Sequence, residues 1–192
     1  QRKRAMFARP DLQSRLILAA CALAAEVLHL GWEFTHGGVP AHHLLNDPGL
    51  PAISNWWGLL VLPLLVWHLA GRIQRRVATL VQAGSRERFR IRTRVRFAIA
   101  LLWGGLLSLA FSVGHPAVGW IFVGAFAAAL LAGAWCAEYV LGFVLGMTFT
   151  FGAVLPVLVA TVIAGCAFVV HLLAGTVLRL ARGGRVRGAG LP

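Results

Sequence analysis

Apolar runs of roughly membrane-spanning length alternate with short polar segments along this chain of 192 residues. A helix needs about 20 consecutive apolar residues to cross the hydrocarbon layer of a bilayer. The pattern therefore predicts an all-α fold, a polytopic integral membrane helical bundle of six transmembrane helices in a single membrane domain. The predicted spans are residues 14–35, 56–71, 97–114, 117–134, 136–154 and 157–178.

The placement of positive charge decides how many helices the apolar stretch 117–181 contains, since its length suits either two tilted helices or three ordinary ones. All 18 Lys and Arg residues fall into three groups, at 2–15, 72–96 and 179–187. Because cytoplasmic loops accumulate Lys and Arg, we expect these groups, and with them both termini, on the cytoplasmic face of a cell inner membrane. An odd number of spans must then follow His115, so three helices fit and two do not.

Two polar segments between the predicted spans differ in character. Residues 36–55 are rich in Gly, Pro, Asn and Asp and are expected to form an external loop. Residues 72–96 form an Arg-rich cytoplasmic arm, predicted to be a surface helix or an irregular segment. Within the later spans, Gly142 and Gly146 are spaced for close packing of helices.

The composition agrees with a membrane protein, since 59% of the residues are hydrophobic and only 12% are charged, against about 25% charged in soluble domains. The net charge of +12 would suit nucleic acid, but no base-reading module accompanies it, so we expect no nucleic-acid partner. Basic segments beside a membrane attract anionic headgroups, so membrane lipids are the expected partners. The sequence contains no GxSxG elbow, Walker loop or dinucleotide fingerprint, which argues against nucleotide-driven chemistry.

The first predicted helix carries four ionisable residues on one face, namely Glu26, His29, Glu33 and His36. At about 100° per residue these positions occupy a stripe about 80° wide. Ionisable side chains at membrane depth are costly and usually face a protein interior or a water-filled cavity. Glu-x-x-His pairs on bundle helices supply ligands in di-metal carboxylate proteins, so the spacing favours a metal site.

Further histidines extend this cluster. His42 and His43 follow in the external loop, and His115 at the next external turn is expected at a similar level of the membrane. Imidazole and carboxylate ligands suit a divalent or transition metal such as Zn, Fe or Cu. Glu26 and Glu33 are the predicted catalytic residues, as ligand or general base. The predicted metal ligands are His29, Glu33, His36, His42, His43 and His115.

Two other interpretations of the cluster stay open. The same residues would suit a proton relay or a polar network that binds a substrate. Alternatively, Glu26 with His29 and Glu33 with His36 would neutralise each other as buried pairs, with no further role.

The end of the external loop supplies candidate substrate-binding residues. Asn55, Trp56 and Trp57 would form a wall that holds an apolar substrate over the cluster. Paired Trp residues are also typical of the membrane interface, where their rings anchor a helix end.

A second set of ionisable residues is expected toward the cytoplasmic half of the bundle. His68, Glu138 and His171 would form an inner polar tier. If this tier continued the outer cluster, the polar column would favour a transport or proton path. Separate, hydrogen-bonded side chains would instead be structural.

Four classes of function are compatible with these patterns. The leading hypothesis is a membrane-embedded metal-dependent enzyme, either a hydrolase or an oxidoreductase, acting on a lipid or another apolar substrate. The second is a proton or metal-ion transporter or channel. The third is a haem-binding redox subunit, with His68 and His171, or His29 or His36 with His115, as axial ligands. The fourth is a non-catalytic subunit of a membrane complex whose Arg-rich arm docks a protein partner. A homo-oligomer is a further possible assembly.

Overall fold

The computed structural model describes residues 12–43, 47–81, 86–133 and 135–188. Parts of four predicted segments lie outside these ranges: most of the first basic group, positions 44–46 of the external loop, positions 82–85 of the arm and position 134 at the end of the fourth predicted span.

Six α-helices form the bundle among the described residues, which confirms the predicted helical membrane fold. Helices α1, α2, α3 and α6 are long and apolar enough to cross a membrane, whereas α4 and α5 have 15 residues each. The helices are α1 Leu12–Thr35, α2 Gly58–Val81, α3 Arg86–Ser112, α4 Val118–Ala132, α5 Ala137–Phe151 and α6 Val154–Gly188.

The segment 72–96 is helical wherever it is described, because α2 continues to Val81 and α3 begins at Arg86. Arg is a good helix former, and a helix satisfies its own backbone hydrogen bonds. The alternation of Arg with apolar residues after position 86 has strand-like period, but a lone strand there would have no partner. The helical alternative for this segment is therefore the one observed.

The predicted external loop contains a small β-hairpin that the sequence pattern did not indicate. Strands β1 (Ala41–His43) and β2 (Ala52–Ser54) pair antiparallel, with His42 opposite Ile53. Gly37 and Gly38 have φ values of 123° and 96°, so the chain reverses directly after α1 through conformations that favour glycine. A short 3-10 helix, Asn55–Trp57, then leads into α2.

Helix α5 packs closely against α3 through glycines. A Cβ atom on Gly146 would lie 2.5 Å from Leu101 O, and one on Gly104 would lie 2.5 Å from Phe143 O. Ser108 Oγ also donates to Gly146 O at 3.1 Å. Without side chains at these positions the two backbones approach closely, which is how helices associate in lipid.

The bundle has two polar ends separated by an apolar core. We call one the hairpin end, where the hairpin and Asn55 meet the C-terminal turns of α1 and α5. We call the other the arginine end, where Arg76 and Arg96 meet the first turn of α5. The core between them includes the buried side chains of Leu62, Leu107, Val144 and Met147.

Candidate polar site at the hairpin end

Three residues of α1 form the centre of the site at the hairpin end. Glu26 is 1% exposed and Glu33 is 8% exposed, because their common face of α1 is turned into the bundle. The ring of His29 lies between the two carboxylates. Its Nδ1 is 3.9 Å from Glu26 Oε2, and its Nε2 is 3.4 Å from Glu33 Oε1. Residues three and four positions apart are neighbours on a helix face, so the sequence spacing builds this contact locally.

His29 also contacts the C-terminal turn of α5. His29 Nε2 lies 3.1 Å from Phe149 O, a carbonyl of the last turn, where intrahelical donors run out. A carbonyl only accepts hydrogen bonds, so this contact assigns a hydrogen to Nε2. The neutral ring then presents its Nδ1 lone pair toward Glu26, and Nδ1 is the atom that can bind a second proton.

Asn55 links Glu33 to the rest of the hairpin end. Its Nδ2 donates a 2.8 Å hydrogen bond to Glu33 Oε1, and the residue is 3% exposed. Asn55 Oδ1 packs against Gly152, which has a φ of 66°, and a Cβ atom on Gly152 would collide with it. Gly58 makes the same kind of room for Glu26 Oε1 at the start of α2. Because Gly152 and Gly58 have no side chain, Asn55 and Glu26 can pack between the helices.

Four buried polar atoms at this end have no hydrogen-bond partner among the described residues. They are Glu26 Oε1, His29 Nδ1, Glu33 Oε2 and His42 Nε2. Buried polar groups are normally hydrogen-bonded, so these four atoms are free to bond a proton, a cation or water. Burial lowers the pKa of His42, and the nearby charge of Glu33 opposes that shift.

The other predicted metal ligands lie apart from this centre. His36 is exposed, with Nδ1 2.8 Å from Trp32 O, and it stacks on the Trp32 ring. His43 is exposed, with Nδ1 2.7 Å from Leu50 O. His115 is exposed and accepts a hydrogen bond from its own turn. Within the described ranges, no three His, Cys, Asp or Glu side chains are grouped so that they could hold a metal ion.

The predicted substrate wall divides into two parts. Asn55 turns inward to Glu33, as described above. Trp56 and Trp57 are 52% and 59% exposed on the bundle surface. That placement is the one expected for aromatic residues at a membrane interface.

The predicted inner polar tier does not come together as one group. Glu138 is buried and its Oε1 lies 3.2 Å from Arg96 Nη1 and 3.5 Å from Arg76 Nη1. The ring of His171 contacts Trp135, with the centroids 4.5 Å apart. His68 is exposed. Sequence reasoning identified Glu138 but missed both arginine partners, since nothing in the local pattern pairs residues 42 or more positions apart.

No family model matches the chain, and no curated protein or solved structure is significantly similar to it. The fold and its sites define the class: a helical membrane protein with an ionisable cluster around buried carboxylates at each end of its bundle. The cluster at the hairpin end combines carboxylates and imidazole, and the one at the arginine end combines guanidinium groups with a carboxylate.

Proposed function

We propose that the protein is a proton-coupled membrane transporter whose proton-binding site is formed by Glu26, His29 and Glu33. The observation that carries this proposal is the position of the His29 ring, which contacts two buried carboxylates through its two different nitrogens. Imidazole is the side chain whose charge changes near neutral pH. Chains of acidic and histidine residues are typical of proton relays in pumps and transporters.

The proton transfer follows from the atoms present. Nδ1 of His29 lies 3.9 Å from Glu26 Oε2, so a proton passes from the Glu26 carboxylic acid to Nδ1 once the two groups come into hydrogen-bond contact or through one water. This step makes the ring cationic and leaves a carboxylate behind. The ring then releases its Nε2 proton to Glu33 and is left neutral with its hydrogen on Nδ1. It must return to the form protonated at Nε2 before the next proton passes, and the reverse sequence moves a proton the other way. Asn55 Nδ2 donates to Glu33 Oε1, the same oxygen that lies 3.4 Å from His29 Nε2, and so holds the carboxyl group beside the ring.

The apolar core supports a transporter rather than an open channel. Leu62, Val144 and Met147 are buried between the two polar ends, so the path between them is closed in this conformation. Helix α5 contacts both ends, through Glu138 at its first turn and through Phe149 O at its last. A change in the charge of His29 acts directly on the end of that helix, which couples proton binding to its position.

The proposal includes the orientation of the protein in the membrane. The arginine end faces the cytoplasm of a bacterial-type inner membrane, because Lys and Arg accumulate on that side. The hairpin end then faces outward, and the site exchanges protons with the external phase. Trp56 and Trp57 would lie at the outer interface.

Infrared difference spectroscopy across a pH titration tests the proposal without knowledge of the transported substrate. The wild-type protein is expected to show the carbonyl band of a buried carboxylic acid that forms and disappears with pH. Glu26→Gln is expected to alter or remove this band. Glu87→Gln is the matched control, since Glu87 is exposed at the start of α3.

The same variants can be reconstituted in vesicles that contain a pH-sensitive dye. If the site alternates between the two faces of the membrane, slow proton uptake driven by a membrane potential is expected for the wild type and for Glu87→Gln. Most of that uptake should be lost in Glu26→Gln and in a further variant, His29→Asn. A wild type with no titrating carboxylic acid, or a Glu26→Gln variant with an unchanged band and unchanged uptake, would overturn the proposal.

The metal-dependent enzyme predicted from the sequence is the second candidate. It is favoured by Glu33 Oε2 and His42 Nε2, which are buried and have no hydrogen-bond partner among the described residues. Elemental analysis of purified protein tests it: a stoichiometric metal should be lost in Glu33→Gln and His42→Ala and kept in His115→Ala. Protein purified without metal and still active in proton uptake would exclude this candidate. An absorption spectrum of the same sample tests the haem hypothesis.

A further inference from the structure

A polar cavity lies at the arginine end, on the opposite side of the bundle from the proposed proton site. Its volume is about 380 Å³, and it lies between α2 and the connection from α4 to α5. The polar and aromatic lining residues are Arg72, Arg75, Arg76, Trp135, Cys136 and Glu138.

The charge around this cavity is strongly positive. Three guanidinium groups line it within five consecutive residues of α2, against one carboxylate, that of Glu138. Arg96, which is not a lining residue, lies 3.2 Å from Glu138 and offsets its charge. Like charges at helical neighbours such as Arg72 and Arg76 repel each other, so an anion in the cavity would relieve that repulsion.

The first turn of α5 adds to the positive potential. Ala137 and Glu138 are the first residues of this helix, and both line the cavity. Cys136 occupies the N-cap position and makes no side-chain capping hydrogen bond. The N-terminal end of a helix carries positive partial charge and is suited to anions. The guanidinium groups of α2 and the N-terminal end of α5 therefore both raise the positive potential inside the cavity.

The surroundings of the cavity are those of a membrane boundary. Helix α2 is apolar up to the start of the arginine group except for His68, and Trp135 lies at the rim and is 37% exposed. Basic pockets between helices at such a boundary bind lipid headgroups. Arginine forks match the oxygens of a phosphate group with two parallel hydrogen bonds.

We propose that this cavity binds the phosphate group of an anionic ligand, with Arg72 and Arg75 as its principal contacts. Arg76 is already engaged with Glu138 and Cys136 and contributes charge to the cavity wall. The phosphate belongs either to a phospholipid headgroup or to a soluble phosphate compound, and the experiment below distinguishes the two sources.

Native mass spectrometry of the detergent-purified protein tests the site, with phosphatidylglycerol and the zwitterionic phosphatidylcholine as probes. The wild type is expected to retain one phosphatidylglycerol per chain in preference to phosphatidylcholine. Arg72→Gln/Arg75→Gln is expected to lose about tenfold in this retention, since two charge-assisted contacts are removed. Arg90→Gln/Arg94→Gln is the control, because it removes the same charge from exposed positions of α3 outside the cavity.

Inorganic phosphate and glycerol phosphate identify the source of the anion. If an excess of either displaces the lipid, the site serves soluble phosphate compounds; if the lipid stays bound, it serves phospholipid. Equal losses in the two double variants would mean that general surface charge is responsible and would overturn the proposal. Absence of any bound anion on the wild type would also overturn it.

Two further measurements guard against a misfolded variant. Arg72→Lys/Arg75→Lys keeps the charge but loses the fork geometry, so it should retain an intermediate amount of phosphatidylglycerol. Cys136 is buried but lines the cavity, so a thiol reagent small enough to enter the cavity reports occupancy there. The measurement uses a Cys21→Ala/Cys166→Ala background, which leaves one thiol among the three cysteines of the chain. Bound phosphatidylglycerol should slow the modification of Cys136 several-fold, and an unchanged rate would contradict the location of the site.

Discussion

Asn55 Nδ2 donates a 2.8 Å hydrogen bond to Glu33 Oε1, and the opposite side of the same amide packs on Gly152. One buried side chain thereby connects α1, the segment after the hairpin and the junction between α5 and α6. A substitution that moves Asn55 is therefore expected to disturb both its hydrogen bond to Glu33 and its packing on Gly152.

Replacement of Asn55 by Leu should destabilise the protein by about 2 kcal/mol, because a buried carboxylate loses its charge-assisted donor. Unfolding of the purified protein in a denaturing detergent measures the change. Ser54→Ala is the neighbouring control: its hydroxyl accepts only a long 3.4 Å hydrogen bond, so we expect a change below about 0.5 kcal/mol. Equal effects of the two substitutions would contradict the role assigned to Asn55.

Replacement of Gly152 by Ala should destabilise the protein and displace Asn55 at the same time. With φ 66° and ψ −176°, the backbone at this position costs about 1–3 kcal/mol for a residue with a side chain, and the new Cβ meets Asn55 Oδ1. Combined with Asn55→Ala, the loss should be smaller than the sum of the two single losses, since both remove the same contact. Gly165→Ala is the control, because a Cβ there meets nothing within 4 Å. Strict additivity in the cycle would contradict the packing described.

The glycine contact between α3 and α5 predicts opposite results for two similar substitutions. Gly146→Ala should destabilise the protein by about 1–3 kcal/mol, since the new Cβ meets backbone that cannot rotate away. Gly105→Ala should be neutral or stabilising by up to about 1 kcal/mol, because the position is open and Ala favours helix. Thermal unfolding in one detergent measures the stability of both variants against that of the wild type. A stable Gly146→Ala variant would exclude the close approach.

The hairpin should lose stability as the pH falls. Burial holds the pKa of His42 below its ordinary value of 6.5, although the charge of Glu33 opposes the shift. Below that ordinary pKa the unfolded chain binds a proton more readily than the folded one, so acid favours opening. Hydrogen exchange at 41–43 and 52–54, corrected for the intrinsic rate, should show less protection at about pH 5.5 than at about pH 7.5.

Substitutions of His42 and of its neighbour His43 show which of the two residues causes the loss of protection at low pH. His42→Gln should remove most of the dependence, since its amide does not titrate. His43→Gln should leave it in place, because His43 is exposed on the other face of the strand. Equal protection of the wild type at both pH values would contradict the prediction.

The sequence by itself determined the features that depend on neighbouring residues in the chain. Apolar runs predicted the helical membrane bundle, because crossing a membrane requires length and hydropathy in one continuous segment. The helical period identified the face of α1 that carries Glu26, His29 and Glu33, and the structure buries both carboxylates. His36 belongs to the same stripe but is exposed, since α1 ends at Thr35 and the chain turns away.

Only the tertiary structure decided which distant groups meet. His29 reaches Phe149 O across 120 positions, and Arg96 reaches Glu138 across 42. Neither contact leaves a periodic trace in the sequence, because each depends on how the helices are arranged and not on the spacing within one of them. The same holds for the β-hairpin, whose residues carry the composition of a loop and whose register places His42 opposite Ile53. That pairing joins positions 11 apart and depends on how the chain between them folds back.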